Sequence, residues 1–381
     1  MGHKNAVVAA YATTALGVSG VSLLAPVLPE LAARYGVDVE AMALFQTAVM
    51  VPGILTAALA GALAPRVGLA PVLRSALLIY GFGGISLLVV DSYPLALLLR
   101  LVQGVGGGGL VAMSFLLIAR AGPGQRLAAT GRNAAVISTM MLLQPLLGSS
   151  LGAISPVAPC AFYGLAIVAA MVVPGLASAQ TAPPVQHYRR STRIPGQVMW
   201  VLIMTVVLNI LLFGWLLLLT PLVLDAAGVG ISARGWTLAL QSGLATVVTL
   251  AVARWREAGR FRLLLISGWA IGASILLGSS LGPSELTIPL LIAAGTFYGA
   301  VNPTLVSSLS GAEGGRWLGW WQSSARLGQV IGPVLAGTLY ADIGGGPTLA
   351  IGGVLAALVL AVAILYRRPH HASTRPMTLG N

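Results

Sequence analysis

Residues Leu97–Gly109 read LLLRLVQGVGGGG: an arginine among leucines, then a glutamine, then five glycines within six positions. An isolated arginine in an apolar run is costly, and consecutive glycines weaken a helix. Gly104, Gly106 and Gly109 also match the G-x-G-x-x-G spacing of a nucleotide loop. That loop needs a strand before it, a helix after it and an acidic residue about twenty positions on. Here the glycines sit inside one continuous apolar run, so the nucleotide reading fails on context. The stretch reads as the middle of a helix that must bury both Arg100 and its glycines against something.

Composition identifies the surrounding solvent. Of 381 residues, 57% are hydrophobic and 8% charged, and the mean hydropathy is +0.91. A soluble domain carries about 25% charged residues; this chain cannot cover a water-facing surface and reads as an integral membrane protein. Apolar runs between charge and Pro/Gly clusters predict twelve spans, near 6–28, 41–63, 70–90, 94–119, 126–152, 158–176, 197–221, 234–253, 262–281, 286–309, 316–340 and 347–366. The N-terminal apolar stretch exceeds a signal-peptide core and reads as a retained first span.

The net charge of +12 follows topology, not nucleic acid. With the N-terminus cytoplasmic, 16 of the 21 basic residues fall in cytoplasmic loops, linker and termini; Arg34 and Arg234 fall on the opposite side. Basic loops resist translocation, so both termini are expected inside a multi-pass cell (inner or plasma) membrane protein. A single cysteine, Cys160, excludes an internal disulfide, and the four histidines lie in the termini and linker. No metal or cofactor is expected, and no catalytic constellation falls at membrane depth, so the chain does not read as an enzyme.

The polar stretch GLASAQTAPPVQHYRRSTRIPGQ (175–197) divides the spans six and six, and the halves resemble each other. At a constant offset of 195, Pro26 pairs with Pro221, Glu30 with Asp225, Thr14 with Asn209 and Gln46 with Gln241. GPGQRLAATGRN (122–133) likewise matches AEGGRWLGWWQS (312–323). The expected organisation is an all-α membrane protein of twelve transmembrane helices in two six-helix bundles related by a pseudo-two-fold axis. The bundles would comprise 1–176 and 197–381, joined by a cytoplasmic linker at 177–196, with a site between them near the midplane.

These features resemble the major facilitator superfamily over essentially the whole chain, and most nearly its drug:proton antiporter branch. The resemblance rests on PVLPELAARYGV (26–37), GALAPRVGLAPVL (61–73), LLLRLVQGVGGG with its Arg-x-x-Gln-Gly motif at Arg100, Gln103 and Gly104, and GPGQRLAATG (122–131). Two departures accompany it. Pro65 stands where the family's inner-loop motif has an acid before Arg66, and the helix 5 antiporter motif is reduced to Gln144–Pro145 with Gly148 and Gly152. A fuller copy, Gly328, Gly332, Pro333 and Gly337, lies in the eleventh span.

The resemblance implies a secondary transporter of a small organic molecule, drug or metabolite, working by alternating access with export coupled to protons, and as a monomer. The alternatives are organic-anion uptake or facilitated diffusion and, from another class, a non-transporting assembly factor or sensor. Arg100, Arg132 and Arg326 lie within predicted spans, whereas no Asp or Glu does. A cavity so charged favours anionic or neutral-polar substrates over cations. Candidate substrate residues are Arg326, Gln322 and Trp321 in the eleventh span, with Arg132, and Tyr11, Asn209, Tyr298 and Asn302, which the resemblance places on cavity-lining helices. Each of these polar groups has interhelical pairing as its plain alternative, and Arg132 has snorkelling to the interface. Candidate coupling or conformational residues are Arg100, Gln103, Gly104, Arg66, Pro145 and Pro333. Glu30 and Asp225, at the outer mouths of the first and seventh spans, read either as proton-exchange groups or as loop acids pairing with Arg34 or Arg234.

Overall fold

The computed structural model describes residues 2–119, 126–177, 194–255, 261–282, 285–309 and 314–365. The basic loop and tail residues Arg120, Arg189, Arg190, Arg193, Arg256, Arg260, Arg367, Arg368 and Arg375, and most of the linker, lie outside them. Among the described residues every regular element is helical. Nine helices among the described residues are long and apolar enough to cross a membrane: α1 (Asn5–Tyr35), α2 (Val39–Val67), α3 (Leu69–Leu88), α4 (Tyr93–Ala119), α5 (Ala128–Gly152), α7 (Gly196–Ala226), α8 (Ile231–Val252), α10 (Thr287–Ser308) and α12 (Gly345–Leu365). Two shorter apolar helices, α6 (Ala158–Val172) and α9 (Leu263–Ser279), and the more polar α11 (Gly314–Ile343) complete the series. In lipid each backbone amide needs an internal partner, and a helix supplies it within its own segment. Each predicted span coincides with one of these helices to within a few residues, except where the first and seventh run on beyond their apolar ends.

Those extensions have a local cause. In α1 the regular helix ends at Ser22, a 3-10 turn covers Ala25–Val27, and helix resumes over Leu28–Tyr35. Pro26 has no N–H to give and its ring opposes the helical carbonyl four residues back. In α7 the equivalent proline, Pro221, follows a wide π segment over Leu211–Leu218. The helix thus tightens at one proline and widens at its repeat mate. Past each break the chain stays helical and carries Glu30 and Asp225, which the sequence places in loops.

The start of α1 marks one face, and the α1–α2 junction marks the far face. Contacts between the first six helices and the last six gather in the far half. Gly337 of α11 packs on Ala43 of α2, Gly152 of α5 on Ile231 of α8, Gly235 of α8 on the Pro145 carbonyl at 2.9 Å to a built Cβ, and Gly243 on Leu142 at 3.1 Å. Nearer the first face, α2 leaves Leu55, Leu59 and Val67 exposed at 71%, 66% and 55%.

Candidate functional site

The Leu97–Gly109 stretch lies inside α4, and its glycines serve two neighbours. A Cβ on Gly104 would stand 2.5 Å from the Val49 carbonyl, and one on Gly108 would stand 2.6 Å from Gly53 Cα; both belong to α2. A Cβ on Gly106 would stand 2.6 Å from the Ala76 carbonyl, and one on Gly109 2.8 Å from Ala76 Cβ; both belong to α3. Glycines four apart therefore seat α4 on α2, and glycines three apart seat it on α3, the spacings that share a helix face. Small residues permit backbones to approach in a bilayer, where water gives no hydrophobic drive between helices. Gly107 is different: its Cβ would meet only the Tyr80 ring at 3.6 Å.

Arg100, 2% exposed, answers the question its sequence raises without a carboxylate. Its Nη1 donates to the Gly20 carbonyl at 2.9 Å and to Gln103 Oε1 at 2.9 Å. The guanidinium carbon sits 4.4 Å from the Phe45 ring centroid and 6.0 Å from that of Tyr163. Gly20 belongs to the last turn before α1 breaks, where the regular intrahelical hydrogen bonding runs out. The Tyr163 hydroxyl donates to the preceding carbonyl, Ser19, at 3.2 Å. Arg100 and Tyr163 thus cap the broken end of a membrane helix, where a cation also complements the negative end of the helix dipole. Gln103 lies one turn from Arg100 and accepts from it; its backbone N would be 2.7 Å from a Cβ on Gly83 of α3.

Beside this cap lies a cavity of about 250 Å³. Its walls come from α1, α2, α3, α4 and α5 on one side and from α7 and α11 on the other. Gly20, Gly107 and Gly108 contribute backbone; Val21, Val49, Met50, Phe115 and Phe213 are apolar; Asn133, Gln322, Arg326 and Gln329 are polar. Arg326 Nη1 donates to Gln329 Oε1 at 3.3 Å, and Gln329 Nε2 to Asn209 Oδ1 at 3.4 Å. Asn209 Nδ2 in turn donates to the Thr205 carbonyl at 2.9 Å. Across the cavity Thr14 donates to Asn133 Oδ1 at 2.8 Å.

Of the residues singled out in the sequence, Arg326 and Gln322 line the cavity. Asn209 stands behind it, joined through Gln329, opposite its repeat mate Thr14 in the wall. Tyr11 donates to the Ala129 carbonyl at 3.4 Å, tying α1 to α5. Tyr298 packs against the buried core. Asn302 Oδ1 and Trp321 Nε1 are buried without a hydrogen-bond partner, outside the cavity lining. Arg132 is exposed, and its neighbour Asn133 takes the place in the wall. Arg66 is exposed at the end of α2, which Gly68 terminates at φ +99°. Pro145 stands at the α5–α8 contact. Pro333 follows Gly332, whose Cβ would be 2.6 Å from the Ile210 carbonyl of α7. Asn133 and Phe213 were missed as site residues. Asn133 had a signal, as a polar group beside the candidate Arg132; Phe213 had none.

Two layers close the cavity toward the far face. Val49 and Met50 of α2 meet Phe213 of the α7 π segment in an apolar cluster with Val21, Leu217 and Val330 around it. Farther out, Arg234 of α8 is buried at 2% exposure, ion-paired with Glu30 of α1 and with Asp225 of α7 at 3.2 Å. The two repeat-related acids converge on one arginine that has no repeat counterpart, Val39 standing 195 residues earlier. Arg34 pairs instead with Asp91. Glu30 and Asp225 thus both pair with Arg234, from helices and not from loops. Among the described ion pairs, Glu30–Arg234 is the one that joins the first six helices to the last six. Glu30→Gln is expected to loosen the far end, with modification of a cysteine placed at Val21 by an impermeant maleimide rising about fivefold, the worth of ~1 kcal/mol for a partly exposed pair. An unchanged rate would show that the apolar layer alone holds the closure.

Comparison with known proteins bears on this architecture. The family model "Major Facilitator Superfamily" matches residues 10–311, and no curated protein matches. Among solved structures, the D-xylose-proton symporter is 15% identical, covering 95% of this chain and 97% of its own, with a TM-score of 0.76. A bacterial homologue of the human lysosomal transporter Spinster, inward-facing and occupied, is 14% identical over 94% and 95% of the two chains, with a TM-score of 0.77. The human organic anion transporter TETRAN is 19% identical over 95% and 100%, with a TM-score of 0.68. At these identities the structural matches speak for the fold, and the family model for membership. The chain, a multi-pass membrane carrier and not an enzyme, belongs to the Major Facilitator Superfamily.

Proposed function

We propose that this carrier exports a small organic molecule in exchange for protons, as two six-helix bundles, 1–176 and 197–381, rock about the cavity. The observation that carries the reading is the cavity itself. It lies between the first six helices and the last six, is shut at the far face by the Val49–Met50–Phe213 layer and the Glu30–Arg234 pair, and has its polar wall on the half nearer the termini. The bias of basic residues toward the loops on the termini side supports a cytoplasmic placement of that face, which makes this an inward-facing state. The polarity contributed by Asn133, Gln322, Arg326 and Gln329 counts against a non-transporting assembly factor or sensor, which has no use for a polar cavity at membrane depth.

Export and proton exchange follow the resemblance to the drug:proton antiporter branch. Uptake or facilitated diffusion of an organic anion is favoured by one observation, an arginine in the cavity wall with no carboxylate among the described lining residues. A pH-gradient experiment separates the three. In proteoliposomes an acidic lumen drives an antiported solute inward as protons leave, whereas a symported solute needs an acidic exterior. Benzenesulfonate is a suitable probe because its charge does not follow pH. At least threefold accumulation with an acidic lumen is expected. Accumulation only with an acidic exterior would replace export by uptake, and equal rates under all gradients would leave facilitated diffusion.

A further inference from the structure

We propose that the cavity selects a one-ring-sized organic monoanion, its charge held by Arg326 and its ring laid against the apolar wall. The proposal rests on the transporter reading and adds the substrate class to it. Three observations at the site carry it.

The first is charge. Among the described lining residues Arg326 is the one ionic group, and none of them is acidic. Glu30 and Asp225, the acids of the first and seventh helices, are committed to Arg234. A cation entering here would meet an uncompensated guanidinium in a poorly solvated space, where like charges repel far more than in water.

The second is the direction of the hydrogen bonds. Arg326 donates to Gln329, Gln329 to Asn209, and Asn209 to the backbone of its own helix. Each acceptor oxygen in that chain is occupied by the donor on its cavity side. Across the cavity Asn133 Oδ1 is likewise occupied, by Thr14, which leaves the amide N–H groups of Asn133 as its free side. Gln322 keeps both ends of its amide. The hydroxyls of Thr13, Thr14 and Ser114, also in the lining, donate to other protein oxygens; beside them the wall offers the Arg326 guanidinium and the Asn133 and Gln322 amide donors, the groups that match carboxylate or sulfonate oxygens.

The third is size and the shape of the charge. About 250 Å³ exceeds the ~150 Å³ that encloses a benzene and falls below the ~300–1,000 Å³ of drug-sized pockets. Gly107 and Gly108 leave part of the α4 side of the space without side chains, beside Val111, Ser114 and Phe115. A second anionic group would be buried without a partner, because Arg100 is bound to Gly20 and Gln103 and Arg132 stands outside the lining.

The test is direct binding to the full-length protein in detergent, by calorimetry, with four probes of similar size: benzenesulfonate, benzene-1,3-disulfonate, benzyltrimethylammonium and benzyl alcohol. Benzenesulfonate is expected to bind at least tenfold more tightly than each of the others. Arg326→Gln is expected to weaken it at least tenfold, and Arg326→Lys by less. If Arg326→Gln fails to fold, the ranking on the unmodified protein decides. Tighter or equal binding of the cation, the alcohol or the disulfonate overturns the proposal, as does benzenesulfonate binding unchanged in Arg326→Gln. Failure of the transporter reading looks different: benzenesulfonate then binds as described but does not cross proteoliposome membranes. Transport of the cation with no affinity for the sulfonates would leave a transporter and remove the monoanion.

Discussion

Replacing Gly106 by alanine is expected to destabilise the protein by roughly 3 kcal/mol, while the same change at Gly107 leaves it unchanged or slightly more stable. The two positions adjoin on α4 and have the same intrinsic gain in helix propensity, up to ~1 kcal/mol. They differ in what the new methyl group meets. At Gly106 it would lie 2.6 Å from the Ala76 carbonyl and 2.8 Å from Tyr80 Cα, both backbone atoms of α3. Neither can rotate away, so α3 and α4 must part by about 1 Å, and an interior packed at crystal density transmits that shift to every layer behind it. At Gly107 the methyl group meets the Tyr80 ring at 3.6 Å, an ordinary contact. Thermal unfolding in detergent, followed by size-exclusion yield, separates the outcomes. Equal melting temperatures for the two variants would mean that α3 and α4 do not depend on this close approach. Leucine at Gly106 is expected to prevent accumulation of folded protein.

The same helix shows what a sequence of this kind makes legible. Span positions are readable because lipid demands a single solution, a helix of about 20 apolar residues, and the glycine run is readable as a packing surface because nothing else tolerates it. The identity of the partners was not. That Gly104 faces Val49 while Gly106 faces Ala76 depends on how α4 is rotated, and a helix apolar all round carries no moment to fix that rotation. The cavity repeats the lesson. Arg326 and Gln322 stand out as polar residues at membrane depth and do line it. Tyr11, Tyr298, Asn302 and Trp321 stand out equally and lie elsewhere, because depth along a helix is read from sequence but azimuth is not. Glu30 and Asp225 were placed in loops, since the proline signal marks where the apolar helix breaks and not that helix resumes beyond it.

Arg100→Leu is expected to lower transport at least tenfold while leaving the melting temperature near that of the unmodified protein. The stability terms oppose one another. Leucine forfeits two hydrogen bonds from a charged donor, about 1.5–3 kcal/mol each, and the attraction to the Phe45 and Tyr163 rings, on the order of 1–2 kcal/mol. It also abolishes a buried charge that has no acid to meet, whose desolvation costs several kcal/mol. The sums are of similar size, so the fold survives. What does not survive is the position of the Gly20 carbonyl, since Gly20 is part of the cavity wall and Arg100 is the donor that holds it. Freed, this carbonyl is an uncapped acceptor beside the cavity, and the broken turn of α1 loses its tie to α4. Arg100→Lys keeps a charge and one donor but cannot span Gly20 and Gln103 in a fixed plane, so it is expected to recover part of the rate and not all of it. The readouts are the initial transport rate in proteoliposomes and the melting temperature in detergent, taken on the same preparations. A leucine variant that transports at the original rate would reduce Arg100 to a packing residue. One that fails to fold, with lysine restoring both fold and rate, would make the cap structural before it is functional.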